Sequence, residues 1–224
     1  MSAAFVTFEG TDGTGKSTQI RMLADALRAE GHEVVQTREP GGSAGAEEIR
    51  GLILTGATDR WSPMTELLLF MAARSDHVER VIEPALARGA IVLCDRYVDT
   101  TRAYQGAGGE LGDATITELH AKVIGRMPDL TLLLDIEPEQ GLRRAMARQG
   151  VASAETRMEM KGLAFQERLR AAYLEIAETE SHRVALLDAS GGIEDVASRI
   201  RAAVDARLGF ASPEDRELET GPTA

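Results

Sequence analysis

The sequence has almost no cysteine: Cys94 stands alone among 224 residues. No internal disulfide can form, and a lone thiol inside an apolar run reads as core before it reads as a nucleophile. Long hydrophobic stretches are missing too. No run approaches the ~20 residues that a membrane-spanning helix needs, and the first residues lack a basic region followed by an apolar segment. The expectation is a cytoplasmic chain with no membrane partner. There is no basic excess either. The net charge is −11, which argues against a nucleic-acid partner but not against a small phosphate site, which needs only a few local cations. Internal repeats and a guanine-reading N-K-x-D pattern are also absent.

What is present is concentrated in one stretch, Gly10-Thr11-Asp12-Gly13-Thr14-Gly15-Lys16-Ser17, followed by Thr18. It reads G-x-x-x-x-G-K-S. Glycines let a backbone turn tightly and aim successive N–H groups at phosphate oxygens. Lys16 brings a charge to the outer phosphates, and the Ser17 hydroxyl suits Mg²⁺. The context fits: an apolar run, Ala4 to Glu9, precedes the loop, and Ile20, Leu23, Ala24 and Leu27 follow it at helical spacing. A helix N-terminus is itself an anion site.

Further strand-like runs lie at 33–37, 90–94, 130–136 and 184–187, separated by stretches of helical period. Five such alternations predict an α/β fold with a parallel five-stranded sheet covered on both faces. Residues 1–208 are expected to form one domain, and 209–224 a polar, acidic, disordered tail. Pro84 is expected to kink or end the long helix around residue 70, and Gln105 to Gly112 to be a glycine-rich loop. Arg74 is an anomaly, a charge in the stripe Leu67, Phe70, Met71, Val78. Unpaired burial would be costly, so it must reach solvent or a polar site. Asp95 and Arg96 follow a run suited to a central strand, and ligands of open parallel sheets bind beyond the carboxyl ends of strands. Arg38, Arg74 and Arg96 suit an acceptor phosphate, whereas Arg143, Arg144, Arg148 and Arg157 suit a phosphoryl group in transfer.

Several motifs in order give these residues a family. Phe8-Glu9-Gly10 with the phosphate loop, Arg38-Glu39-Pro40-Gly41-Gly42, Phe70 to Arg74, Asp95-Arg96-Tyr97, Ala103-Tyr104-Gln105-Gly106 and Pro128-Asp129 resemble thymidylate kinases of the bacterial type, over about residues 4–207. The loop is unspecific, but the R-E-P-G-G, D-R-Y and A-Y-Q-G set is specific. The resemblance implies a P-loop NTPase fold with a mobile lid at about 148–159, and transfer of the γ-phosphoryl group of Mg·ATP to dTMP by a homodimer. It implies ATP on Gly10 through Thr18, with Lys16, Asp12, Arg96 and the lid residues Arg148 and Arg157 in catalysis. Phe70 would stack on thymine, Arg74 reach the base edge, and Thr101 and Gln105 lie at the ring. Tyr104 would exclude a 2′-hydroxyl, Asp12 take the 3′-hydroxyl, and Arg96 with Arg38 hold the acceptor phosphate. Ser17 and Asp95 would hold Mg²⁺. Some members carry arginine at position 13. Gly13 cannot supply charge, which leaves the lid arginines to do so. A related kinase with another acceptor, or a regulatory nucleotide switch, are the rival readings.

Overall fold

Side-chain alternation along the strands builds a sheet with two buried faces. The computed structural model describes residues 3–57, 59–109, 111–148 and 162–209. The strands are β1 (Ala4–Glu9), β2 (Val34–Arg38), β3 (Ile91–Asp95), β4 (Leu130–Asp135) and β5 (Val184–Asp188). All neighbours pair in parallel, in the order β2-β3-β1-β4-β5. The central strand β1 is buried along its whole length, whereas the edge strands β2 and β5 alternate between buried and open positions, as covered and half-covered strands should.

On one face Val6, Phe8, Leu93 and Leu132 pack with α1 (Lys16–Ala29) and with Val196, Ile200 and Val204 of the helix Ile193–Leu208. On the other face Phe5, Val92 and Cys94 meet Val78, Ile82 and Tyr97, and Leu133 and Val184 meet Phe165, Leu169 and Tyr173. The remaining helices of the described residues are α2 (Ala44–Leu54), α3 (Pro63–His77), α4 (Glu83–Ala87), α5 (Val98–Thr101), α6 (Asp113–Val123), α7 (Pro138–Arg148), α8 (Leu163–Thr179) and α9 (Ile193–Leu208), which lies against α1, β4 and β5. Local signals set their starts. Ser43 and Ser62 cap α2 and α3 by accepting from the N–H groups of Ala46 and Thr65, each at 3.2 Å.

Two expectations are met only in part. The long helix does not end at Pro84 but loses its regular form just before it: a π-helical turn, Val78–Ile82, joins α3 to α4, and Pro84 sits in the first turn of α4. The loop expected from Gln105 to Gly112 starts later: Arg102–Ala107 form a second π-helical turn that holds Gln105, and the described loop residues are 108–109 and 111–112. Cys94 is fully buried, and burial pushes its thiol well above its ordinary pKa, so it is core rather than nucleophile. The expected lid and tail lie outside the described residues, apart from the backbone of Arg148 and Gly209.

Candidate active site

β1 delivers the phosphate loop to the middle of the sheet's carboxyl edge. Gly15 adopts φ 92° and turns the chain into the N-terminus of α1, a conformation that suits glycine. Gly13 is needed for a second reason. A Cβ there would lie 2.0 Å from the carbonyl oxygen of Gly141 in α7. The loop and α7 touch backbone to backbone, which leaves no room for a side chain of any charge. Lys16 is buried, and its Nζ donates to the Gly10 and Thr11 carbonyls at 3.0 and 2.9 Å. Burial first, and Arg96 second, lower its pKa to about 8. At the mouth of the loop Ser17 Oγ donates to Asp95 Oδ2 at 2.9 Å, so β1 and β3 bring together the two oxygen ligands expected for a metal.

Arg96 follows β3 directly and has φ 70°, the left-handed region, unlike every other described non-glycine residue. The turn bends its side chain back over the phosphate loop. Its guanidinium donates to Asp12 Oδ1 at 2.6 Å, to the Gly10 carbonyl at 3.3 Å and to Thr100 Oγ1 at 3.2 Å, and lies 5.5 Å from the centre of the Tyr104 ring. The Tyr104 hydroxyl reaches towards the other oxygen of Asp12 at 3.5 Å. Asp12, Arg96 and Tyr104 therefore form one group at the junction of loop and pocket.

The misfit charge of Arg74 finds its place in this pocket. The side chain is 1% exposed, with Nε on Glu39 Oε2 at 2.7 Å and Nη2 on Thr101 Oγ1 at 2.9 Å. Burial works against its charge, but Glu39, helped by Tyr97 and Glu9, outweighs this and holds its pKa above the ordinary value. Glu39 also accepts from, or shares a proton with, His77 Nδ1 at 3.0 Å, and His77 Nε2 lies 2.7 Å from Thr37 Oγ1. Phe70 is half-buried one helical turn before Arg74, on the same face. Gln105 donates to Glu66 at 3.1 Å, while its buried carbonyl oxygen has no donor among the described residues. Arg38 is exposed and paired with Glu47 at 3.2 Å. It faces a cleft of about 410 Å³ that also takes in Ser17, Thr37, Gly42 and Asp95.

The second group of arginines behaves differently. Arg143 makes an exposed pair with Glu139, and Arg144 donates to the carbonyls of Ala189 and Gly191 beyond β5. Arg144 is thus engaged beyond β5, whereas Arg143 is tied only to an exposed carboxylate, a pairing worth little. The Arg148 side chain and Arg157 lie outside the described residues. Sequence reasoning placed Glu9 in a motif at the end of the first strand but gave it no role; it is wholly buried. It takes the Tyr97 N–H on Oε1 at 2.7 Å and the Thr100 hydroxyl on Oε2. Burial first, and Asp99 second, raise its pKa to about 7. Sequence reasoning also gave no role to Tyr173, whose hydroxyl meets Thr100 at 2.8 Å. The only available signal was negative: an acidic residue closing a buried strand needs donors.

Among the described residues no group of three or more His, Cys, Asp or Glu is arranged to hold a metal, and no helix is long and apolar enough to cross a membrane. One carboxylate and one hydroxyl are what a magnesium ion shared with nucleotide phosphates requires. A phosphate loop with a separate pocket, joined to it by an arginine, defines a P-loop kinase that acts on a small acceptor. The comparisons narrow the class. A family model for thymidylate kinase matches residues 8–200. The chain is 58% identical over 207 residues to a thymidylate kinase of Caulobacter vibrioides, covering 92% of this chain and 98% of that one. It is 56% identical over 197 residues to one of Ruegeria pomeroyi, covering 88% and 92%. The crystal structure of thymidylate kinase from Ehrlichia chaffeensis superposes with a TM-score of 0.72 at 31% identity, over 91% of this chain and 99% of that one. The chain belongs to the thymidylate kinase family, ATP-dependent enzymes that phosphorylate dTMP and that imply a divalent metal.

Proposed function

We propose that the loop Gly10 to Thr18 takes Mg·ATP, the pocket beyond it takes dTMP, and the γ-phosphoryl group passes between them to give dTDP and ADP. The observation that carries the assignment of roles is Arg96, set against both the loop carbonyl of Gly10 and Asp12. A guanidinium there can hold an acceptor phosphate within reach of a donor phosphate. The acceptor oxygen is already anionic at neutral pH, so no strong base is needed. The work is positioning and charge neutralisation. Lys16 meets the outer phosphates of the donor and gives up its loop carbonyls to do so. Ser17 and Asp95 would hold the ion, which when bound would offset phosphate charge.

On the acceptor side Phe70 stacks on the base, and Arg74 and Thr101 face its edge. The orphaned Gln105 carbonyl is an acceptor for a base N–H. Tyr104 closes the space of a 2′-hydroxyl, Asp12 takes the 3′-hydroxyl, and Arg38 leaves Glu47 to assist Arg96. Arg148 and Arg157 supply the charge that Gly13 cannot. The cytoplasm, where nucleotides are free and thiols reduced, is the proposed compartment.

ADP release should be measured with dTMP, dUMP, thymidine or no acceptor. Turnover with dTMP is expected to exceed the others by at least about tenfold, the order of one missing methyl contact or phosphate clamp. Preference for thymidine, or equal ADP release without any acceptor, would reject the reading. The proposed assembly is a homodimer. Leu52, Met64 and Leu68, 41%, 42% and 51% exposed, crowd the adjacent helices α2 and α3, and a second copy would cover them. Leu68→Glu should halve the mass seen by light scattering. An unchanged mass would place the interface elsewhere.

A further inference from the structure

Arg96 combines an unfavourable backbone conformation with a demanding task. A non-glycine residue at positive φ persists only where its surroundings over-determine it, and here those surroundings come from the end of β1. The Arg96 N–H donates to the Phe8 carbonyl at 3.0 Å. The next N–H, of Tyr97, donates to Glu9 Oε1 at 2.7 Å. The second carboxylate oxygen of Glu9 takes the Thr100 hydroxyl proton. With its proton committed, Thr100 Oγ1 is left to accept, and it does so from Arg96 Nη1 at 3.2 Å and from the Tyr173 hydroxyl at 2.8 Å. One carboxylate thus governs both ends of Arg96, the backbone directly and the guanidinium through Thr100.

We propose that Glu9 is the positioning residue of the acceptor-phosphate site, fixing the turn and the aim of Arg96. This rests on the reading that Arg96 holds the acceptor phosphate. Glu9 does not itself meet substrate or metal: it is 0% exposed, and both its oxygens are occupied by protein donors. Tyr173 extends the arrangement to α8, so the helix that follows residues 149–161 shares in setting the same arginine.

Steady-state kinetics of Glu9→Gln against both substrates provides the test. Glutamine keeps the volume and one carbonyl for the Tyr97 N–H, but its amide nitrogen cannot accept the Thr100 proton. The KM for dTMP should rise on the order of tenfold, as for one lost hydrogen bond to a charged partner, while the KM for ATP stays within about twofold. Thr100→Val, which removes the bridge and keeps the shape, should do the same and decides the matter if Glu9→Gln fails to fold. Glu9→Gln placed on Arg96→Ala should add nothing further, because the effect runs through Arg96. An unchanged KM for dTMP in a folded Glu9→Gln enzyme, or equal losses for both substrates, overturns the proposal. If Arg96→Ala alone leaves the KM for dTMP unchanged, the reading of Arg96 fails instead, and the two failures are told apart.

Discussion

Replacing Lys16 by alanine is expected to lower kcat by about 10³-fold or more, the scale of removing a preorganised positive group from the reacting phosphates. The KM for dTMP should change little, since Lys16 sits on the donor side of Arg96. Lys16 donates to the Gly10 and Thr11 carbonyls and thereby braces the loop. ATP must draw the ammonium off those carbonyls, and its phosphates compensate. A pH dependence follows with a definite sign. Burial lowers the Lys16 pKa to about 8 in the free protein, so the charged form that receives phosphate fades as pH rises through 8. kcat/KM for ATP, which reports the free enzyme, should therefore fall above about pH 8, approaching tenfold per unit. kcat should hold to higher pH, because bound phosphates stabilise the ammonium. Stability moves the other way: the buried charge costs most below pH 8, and the penalty lifts between 8 and the unfolded value of 10.5. A kcat/KM profile flat to pH 10, or a near-normal kcat for Lys16→Ala, would remove the lysine from the mechanism.

The fold was readable because burial leaves a strong local trace. Ile91 to Cys94 and Leu130 to Leu134 are continuous apolar runs, and they are the covered strands β3 and β4. The phosphate loop was readable because its chemistry lies in consecutive residues. Arg74 was visible as a contradiction, a charge in an apolar stripe, although its resolution through Glu39, 35 positions earlier, was not. Local pattern says nothing about partners brought together by topology. Glu9 looks like the end of a strand until Tyr97 and Thr100 are set against it by the pairing of β1 with β3. The two π-helical turns escaped for a different reason. Both lie in stretches whose composition suits an ordinary helix or a glycine loop, and one extra residue in a turn has no periodicity of its own. One of them bears on the proposed site: the widened turn Arg102–Ala107 contains Tyr104 and Gln105, and π-turns often occur at functional sites.

The residue expected to matter most for stability lies behind this turn and makes no contact with the substrate pocket. Asp99 is 1% exposed and faces Arg183, whose Nη1 and Nη2 reach its two oxygens at 2.7 and 2.8 Å. Arg183 also donates to Thr131 Oγ1 at 2.9 Å and to Glu180 Oε2 at 2.7 Å. Arg102 adds a longer bond to Asp99 at 3.2 Å and is otherwise committed to Asp113 and Glu180. Burial alone would raise the Asp99 pKa, but Arg183, with a smaller share from Arg102, reverses this and holds it below the ordinary value. Arg183→Met would leave a buried carboxylate with only two longer bonds, from Arg102 and from the Thr131 hydroxyl, each at 3.2 Å. Stranding one member of a buried ion pair costs about 3–5 kcal/mol, which for a domain of this size is a fall in Tm of roughly 6–20 °C. Converting both partners, Asp99→Leu with Arg183→Met, should destabilise less than Arg183→Met alone, because no charge is then left unpaired. Calorimetry of the single and double variants checks both statements. A single-variant shift under about 2 °C would mean that water or Arg102 replaces Arg183, and that the segment bearing Arg96, Thr101 and Tyr104 is not anchored from behind by this pair.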